Sequence, residues 1–443
     1  MLLSACDTLS SQARLKGEIN VASRKIAASI FNVTLQARIA ALIPVAVLTA
    51  VLTTVPTAQA QTYTILHNFT NGSDGSFPQS GVTLDRAGNL YGTATGDGSQ
   101  TMGTVYKMER AGSGWVFVPL YNFHGADGAA PFGPLTIARD GTLYGTTLAG
   151  GYHDGHCAAG GCGLVFQLRP PATAPRNALE PWSENVVFPF DDVDGNEPVY
   201  PQLIFDHAGN IYGTTQFGGP NDAGTVFELA PSQNGWTETV LYNGFNTLGT
   251  GSQPEAGVVM DSAGNLYGTT PTGGDEHGIV YELSPTANGY EQTVLHTFHV
   301  ADGNLPYAGL VMDSVGNLYG ASFAGGLDDC GNVYELSPSA SGWTFNVIYN
   351  FVTCSGGPYQ SLVFDSAGNL YGTANGDGAG NAGMVFKLTN SNGTWRLTDL
   401  HDFSFQSEYF PVGSVAIDAN GNLYGTTSVG GQYGYGVVWE ITP

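Results

Sequence analysis

The sequence predicts an all-β fold, a seven-bladed β-propeller closed by its own N-terminal strand. Three observations carry that expectation. A phrase of the type DSAGNLYGTT (261–270) is written seven times with small variations. Each copy belongs to a unit of four short strand-like runs. The units are also out of phase with the ends of the array, so the first and the last complete one another.

The Tyr-Gly step falls at Tyr91, Tyr144, Tyr212, Tyr267, Tyr319, Tyr371 and Tyr424, at spacings of 52 to 55 residues with one of 68. A period of that size marks a solenoid or a propeller. In one unit GVVMD (257–261) leads into LYGTT (266–270), IVYEL (279–283) and EQTVLHTF (291–298). These runs are short, β-branched or aromatic, and bounded by turn residues, as hairpin-linked strands are. Four such strands make a propeller blade. The last unit stops after VVWEI (437–441), whereas the first is preceded by an extra copy of the fourth strand, TYTILHNF (62–69). That strand is expected to complete the last blade and leave no unpaired edge at the closure.

Composition agrees. Glycine is abundant at 63 of 443 residues, yet 22 Tyr, 22 Phe and 6 Trp supply bulk for a core, which separates the chain from disordered Gly-rich sequences. The formal net charge is −24 with only 13 Lys and Arg, five of them before residue 61. Such a surface repels phosphate backbones and anionic membranes, which argues against nucleic acid as a partner.

Residues 40–60, AALIPVAVLTAVLTTVPTAQA, follow a basic stretch and end in Ala-Gln-Ala. This pattern is that of a signal segment, so residues 1–60 are expected to be a leader and 61–443 the propeller of a secreted or periplasmic protein. The apolar run is short for a spanning helix and carries Pro44, so no membrane span is expected after cleavage. Export leaves four cysteines in an oxidising compartment, and two disulfides are expected, Cys157–Cys162 and Cys330–Cys354. A zinc site at Cys157 and Cys162 is the weaker alternative, because only nearby histidines are at hand as further ligands.

The DSAGN segment joins first to second strand. Gly88, Gly141, Gly209, Gly264, Gly316, Gly368 and Gly421 share one position, where a tight turn needs positive φ. Its Asp is expected to accept turn amides. A calcium loop would need more alternating oxygens and a later Glu, where this sequence has strand. The Gly after each Tyr is expected to admit a neighbouring blade. Rings at the start of the outer strands (Trp115, Trp182, Trp236, Tyr290, Trp343, Trp395) read as packing.

The Gly-Gly loops and the inter-blade crossovers lie on the face opposite these turns. Every crossover carries a proline: Pro78, Pro131, Pro198, Pro254, Pro306, Pro358 and Pro411. Near them recur Phe77, Phe132, Tyr200, Tyr307, Tyr359 and Phe410, together with Asp74, Asp127, Asp194 and Asp302. Two readings of these residues stand side by side: inter-blade plugs with turn caps, or a ring of aromatic platforms and carboxylates at the channel mouth. The largest break in the repeat is GGYHDGHCAAGGCG (150–163), where His153, Asp154 and His156 cluster beside the Cys157–Cys162 pair. Two histidines and a carboxylate can ligate a metal or carry protons, although loop histidines are common and no metal or other cofactor is expected. Asp275, Glu276 and His277 occupy the matching loop of blade 4 with a weaker claim.

Lines such as GNLYGTT…GG…GTVFEL resemble the choice-of-anchor tandem repeat family called GloVer over about residues 62–443. The shorter D-x-x-G-N-L-Y core is similar to NHL and streptogramin-lyase propellers. The GloVer resemblance implies a secreted bacterial repeat protein and supplies no catalytic residues. Phosphate-loop, H-E-x-x-H and G-x-S-x-G motifs are absent from the sequence. The leading expectation is therefore a monomeric extracellular binding module for a glycan or protein ligand on the crossover face. A lyase or hydrolase acting on polysaccharide or a small cyclic substrate is the alternative, and a structural envelope protein is the third reading.

Overall fold

The computed structural model describes residues 61–96, 102–112, 114–151, 157, 160–171, 181–352 and 356–443. It contains seven four-stranded antiparallel sheets, each one blade of the propeller, and one two-residue pairing, Glu408–Tyr409 with Val429–Gly430. Blade 4 is typical: Val259–Met260, Leu266–Thr270, Ile279–Thr286 and Gly289–Thr297. Its first strand is shorter than the run GVVMD suggests. Closure is as expected, since Thr62–Asn68 pairs antiparallel with Val437–Thr442 from Thr62 opposite Thr442 to Asn68 opposite Val437.

The outer hairpin of every blade has one register shift, at Val280/Tyr281 in blade 4, which leaves Leu295 unpaired. Such a bulge increases local twist. It also turns the outer strand so that the Phe just beyond it enters the next blade. Phe123 meets Phe166, Phe190 meets Phe227, Phe245 meets Tyr281, Phe298 meets Tyr334, Phe351 meets Phe386, Phe403 meets Trp439 and Phe69 meets Tyr106. Ring centroids in these pairs lie between 5.0 and 6.0 Å. The core is therefore a circle of aromatic pairs between blades, all of them buried.

The repeated turn explains its own sequence. Asp261 Oδ1 accepts the amides of Ala263 (2.8 Å) and Asn265 (2.9 Å), and Oδ2 accepts Asn265 Nδ2 (2.8 Å) and the Tyr267 hydroxyl (3.1 Å). Asp85, Asp206, Asp313, Asp365 and Asp418 repeat the set, for example through Tyr212 and Tyr424. Blade 2 departs from it, and there Tyr144 donates to Gln167 at 3.1 Å. All seven turn glycines have φ between 82° and 93°. Both carboxylate oxygens are thus used within the turn, and no group of three metal-binding side chains occurs among the described residues.

The expectation for the Gly after each Tyr needs correction. A Cβ at Gly213, Gly268 or Gly320 would strike the ring of Phe227, Tyr281 or Tyr334, which lies opposite it on the third strand of the same blade. The space is taken from within the blade, because the cross-strand partner lays its ring over the glycine. The neighbouring blade instead meets the Tyr ring: Tyr91–Trp182, Tyr144–Trp236, Tyr267–Trp343, Tyr319–Trp395 and Tyr424–Trp115 are edge contacts between blades. The outer-strand tryptophans are packing residues, as expected.

Candidate functional site

Six of the seven crossovers are pinned at one point each. The residue before the proline has positive φ at Phe77, Ala130, Glu197, Gln253, Leu305 and Phe410, between 53° and 62°. This is a costly conformation for a residue with a side chain, and more so before proline. The surroundings hold it: Ala130 N donates to Met102 O, Glu197 N to Cys162 O, and Gln253 N to Ala223 O, all in the preceding blade's loop. A rigid hinge therefore delivers the next residues toward the axis.

This geometry splits the recurring aromatics into two classes that one-dimensional spacing had merged. Phe77 and Phe410 precede the proline and turn outward, Phe77 against Tyr435 and Phe410 against Phe405 and Tyr409. Phe132, Tyr307 and Tyr359 follow it directly and Tyr200 follows by two. These four converge: Phe132 meets Tyr200 edge-on at 5.6 Å, Tyr200 meets Tyr359 at 5.5 Å, and Tyr359 stacks on Tyr307 at 4.7 Å. Phe323 adds an edge to both Tyr307 and Tyr359. Tyr200 enters blade 3 and Tyr359 enters blade 6, so the cluster reaches across the ring rather than lying between adjacent blades.

The sequence reading missed Glu255. It follows Pro254, at the position where blades 2, 5 and 6 carry Phe132, Tyr307 and Tyr359. Glu255 is 7% exposed. Its Oε1 accepts Gln216 Nε2 at 2.9 Å, its Oε2 accepts the Tyr359 hydroxyl at 3.3 Å, and its backbone carbonyl accepts Tyr200 N at 3.3 Å. Burial pushes its carboxyl up to about 7, against a smaller pull down from the Tyr359 hydroxyl. Burial, and then the Glu255 charge, raise Tyr200, Tyr307 and Tyr359 in turn. The one signal available was a proline step reading Pro-Glu where three of its fellows read Pro-aromatic.

Beneath the cluster the axis narrows to a cavity of about 50 Å³ lined by Tyr200, Gln202, Gln360, Ser361 and Ser414, among others. Gln360 Nε2 is buried there without a partner among the described residues. A second, apolar pocket of about 460 Å³, formed by Phe205, Met260, Met312, Phe364 and their neighbours, shares Ile204 and Val259 with the lining of this cavity.

The remaining candidates separate. Asp74, Asp127 and Asp302 cap turns, accepting the amides of Thr70, His124 and His299, and Asp194 accepts that of Asp191. His153, Asp154 and His156 lie outside the described residues. The adjoining Cys157–Cys162 disulfide is formed, with Cα atoms 5.1 Å apart. Cys330 is disulfide-bonded, and its expected partner Cys354 lies outside the described residues. In blade 4, Asp275 pairs with His299 at 3.2 Å and His277 with Asn304 at 3.2 Å, both remote from Glu255 in their bonding.

Among solved structures the chain is similar to the polysaccharide lyase Uly1, at 11% identity and a TM-score of 0.49 over 82% of this chain and 89% of that one. It is similar to YjhT at 14% identity and a TM-score of 0.43, over 73% and 97%. A third is a candidate 6-phosphogluconolactonase from Bacteroides uniformis, at 15% identity and a TM-score of 0.44 over 72% and 84%. These likenesses bear on neither ligand nor reaction. No curated protein matches the sequence. The model of the Gloeobacter/Verrucomicrobia repeat matches residues 51–180, 156–314 and 275–443, and the chain belongs to that family.

Proposed function

We propose that the protein is an exported binding module whose ligand sits at the axial mouth of the crossover face. The observation that supports this reading is the break of symmetry at Glu255. Six of the seven proline steps carry a ring nearby; the other carries a carboxylate, buried among rings delivered by separate blades. A propeller needs no such group to close. Convergent aromatic surface around a few oriented polar groups is how small-ligand sites are built. The disulfide at Cys157–Cys162 and the acidic, lysine-poor composition fit an extracellular setting.

The test is a melting-temperature screen of the full chain against glycans and peptides, repeated with Tyr307→Leu. A ligand that stabilises the wild type and not the variant is expected. If every stabilising ligand acts equally on both, the mouth is not the site. The hydrogen-bonded Glu255–Tyr359 pair also favours one second reading, general acid–base catalysis on a polysaccharide. Turnover of a polysaccharide panel that disappears in Glu255→Gln would establish it, and the absence of turnover in the wild type would remove it.

A further inference from the structure

We propose that the mouth is a cage for an organic ammonium group, seated against Tyr200, Tyr307 and Tyr359 and paired with Glu255; this rests on the reading of the mouth as the binding site. Three observations lead there independently. The first is the ring cluster itself, brought from blades 3, 5 and 6 with its tyrosines only partly buried. Aromatic faces attract cations through their quadrupoles, and weakly hydrated ammonium groups gain most.

The second is the uncompensated carboxylate. Both side-chain partners of Glu255 are neutral, Gln216 and Tyr359. No ion pair to it exists among the described residues, and the titratable groups coupled to it are the three tyrosines. A buried acid with no cation of its own is suited to one brought by a ligand.

The third is a gap in the sequence. Residues 177–386, which hold Tyr200, Glu255, Tyr307 and Tyr359, contain no Lys or Arg. This half of the ring therefore carries no permanent cation of its own, and the net charge of −24 attracts cations from solution. A divalent metal fits poorly, since it demands several oxygens and the site offers one carboxylate among rings.

The experiment is calorimetric titration of the full chain with choline, with N-acetyl-lysine amide, and with the neutral isostere of choline that carries a tert-butyl group in place of trimethylammonium. At least one cation is expected to bind about tenfold tighter than the isostere. Glu255→Gln, and separately Tyr307→Leu, are expected to remove most of that preference, with melting curves showing that each variant is folded. The tighter of the two cations tells whether the source is a free quaternary ammonium or a lysine-bearing chain. A result in which neither cation binds more tightly than the isostere would overturn the proposal. Should a neutral glycan or peptide then stabilise the wild type but not Tyr307→Leu, the mouth remains the site and only the ammonium class falls. If none does, both fall.

Discussion

Arg110 in blade 1 donates to Glu440 in blade 7 at 2.8 Å, and the same guanidinium nitrogen reaches the Tyr424 hydroxyl at 3.0 Å. It also lies 4.5 Å over the Trp115 ring. This is the seam where the ring closes, and Arg110 is one of only eight Lys or Arg beyond residue 60. The guanidinium is half exposed, so screening limits the pair to about 1 kcal/mol. Arg110→Ala should lower the melting temperature slightly, and a double-mutant cycle with Glu440→Gln should show the loss shared. Deleting residues 61–69 should do far more. It strips Val437–Thr442 of its outer partner and removes Phe69 from Tyr106. A single cooperative melt retained by the deleted chain would show that closure is dispensable.

The buried hydroxyls of Tyr106, Tyr281 and Tyr334 have no partner among the described residues, whereas blades 2, 3 and 6 place Phe166, Phe227 and Phe386 at the same position. An unsatisfied buried hydroxyl costs about 1–3 kcal/mol. Tyr281→Phe should therefore be neutral or raise stability in urea unfolding. Gly268→Ala drives a methyl into that ring and should cost about 1–3 kcal/mol. A stable Gly268→Ala protein would mean that the ring can move aside.

These positions show what one dimension reveals. The turn was legible because Asp261, Gly264, Asn265 and Tyr267 satisfy one another within seven residues, and local bonding leaves a local signature. Closure was legible because the missing strand and the extra strand are both written out. Glu255 was not. Its meaning depends on Tyr359, which is brought to it only by the curvature of the whole ring. The split between Phe77 and Phe132 was hidden for a related reason: standing before or after the proline, two positions apart, sends a side chain outward or toward the axis.

Acid should loosen the repeated turns. Burial pushes the Asp261 carboxyl up, but hydrogen bonds from Asn265, Ala263 and Tyr267 outweigh it and hold the group below its usual range. Asp365 and Asp418 are lowered in the same way. A lowered carboxyl contributes stability that is present above the unfolded value of about 3.9 and is lost as pH falls through the folded value. Asp261→Ala should cost about 1–2 kcal/mol at neutral pH. Its deficit against wild type should shrink in strong acid. A deficit independent of pH would place the effect in turn geometry rather than in charge.

Glu255 should titrate with the opposite sign. Its carboxyl stands at about 7 instead of 4.5, so between those values the folded protein holds a proton that the unfolded chain has released. Stability contributed by the neutral acid is present at low pH and is lost as pH rises through this window, by up to about 3 kcal/mol. Glu255→Gln keeps an acceptor for the Tyr359 hydroxyl and removes the charge. In urea unfolding it should match wild type near about pH 5 and exceed it near about pH 8. An organic ammonium ligand should do the reverse, binding more tightly as pH rises because only the ionised carboxylate pairs with it. Wild type and variant with the same stability difference at both pH values would show that the fold does not hold this carboxyl proton.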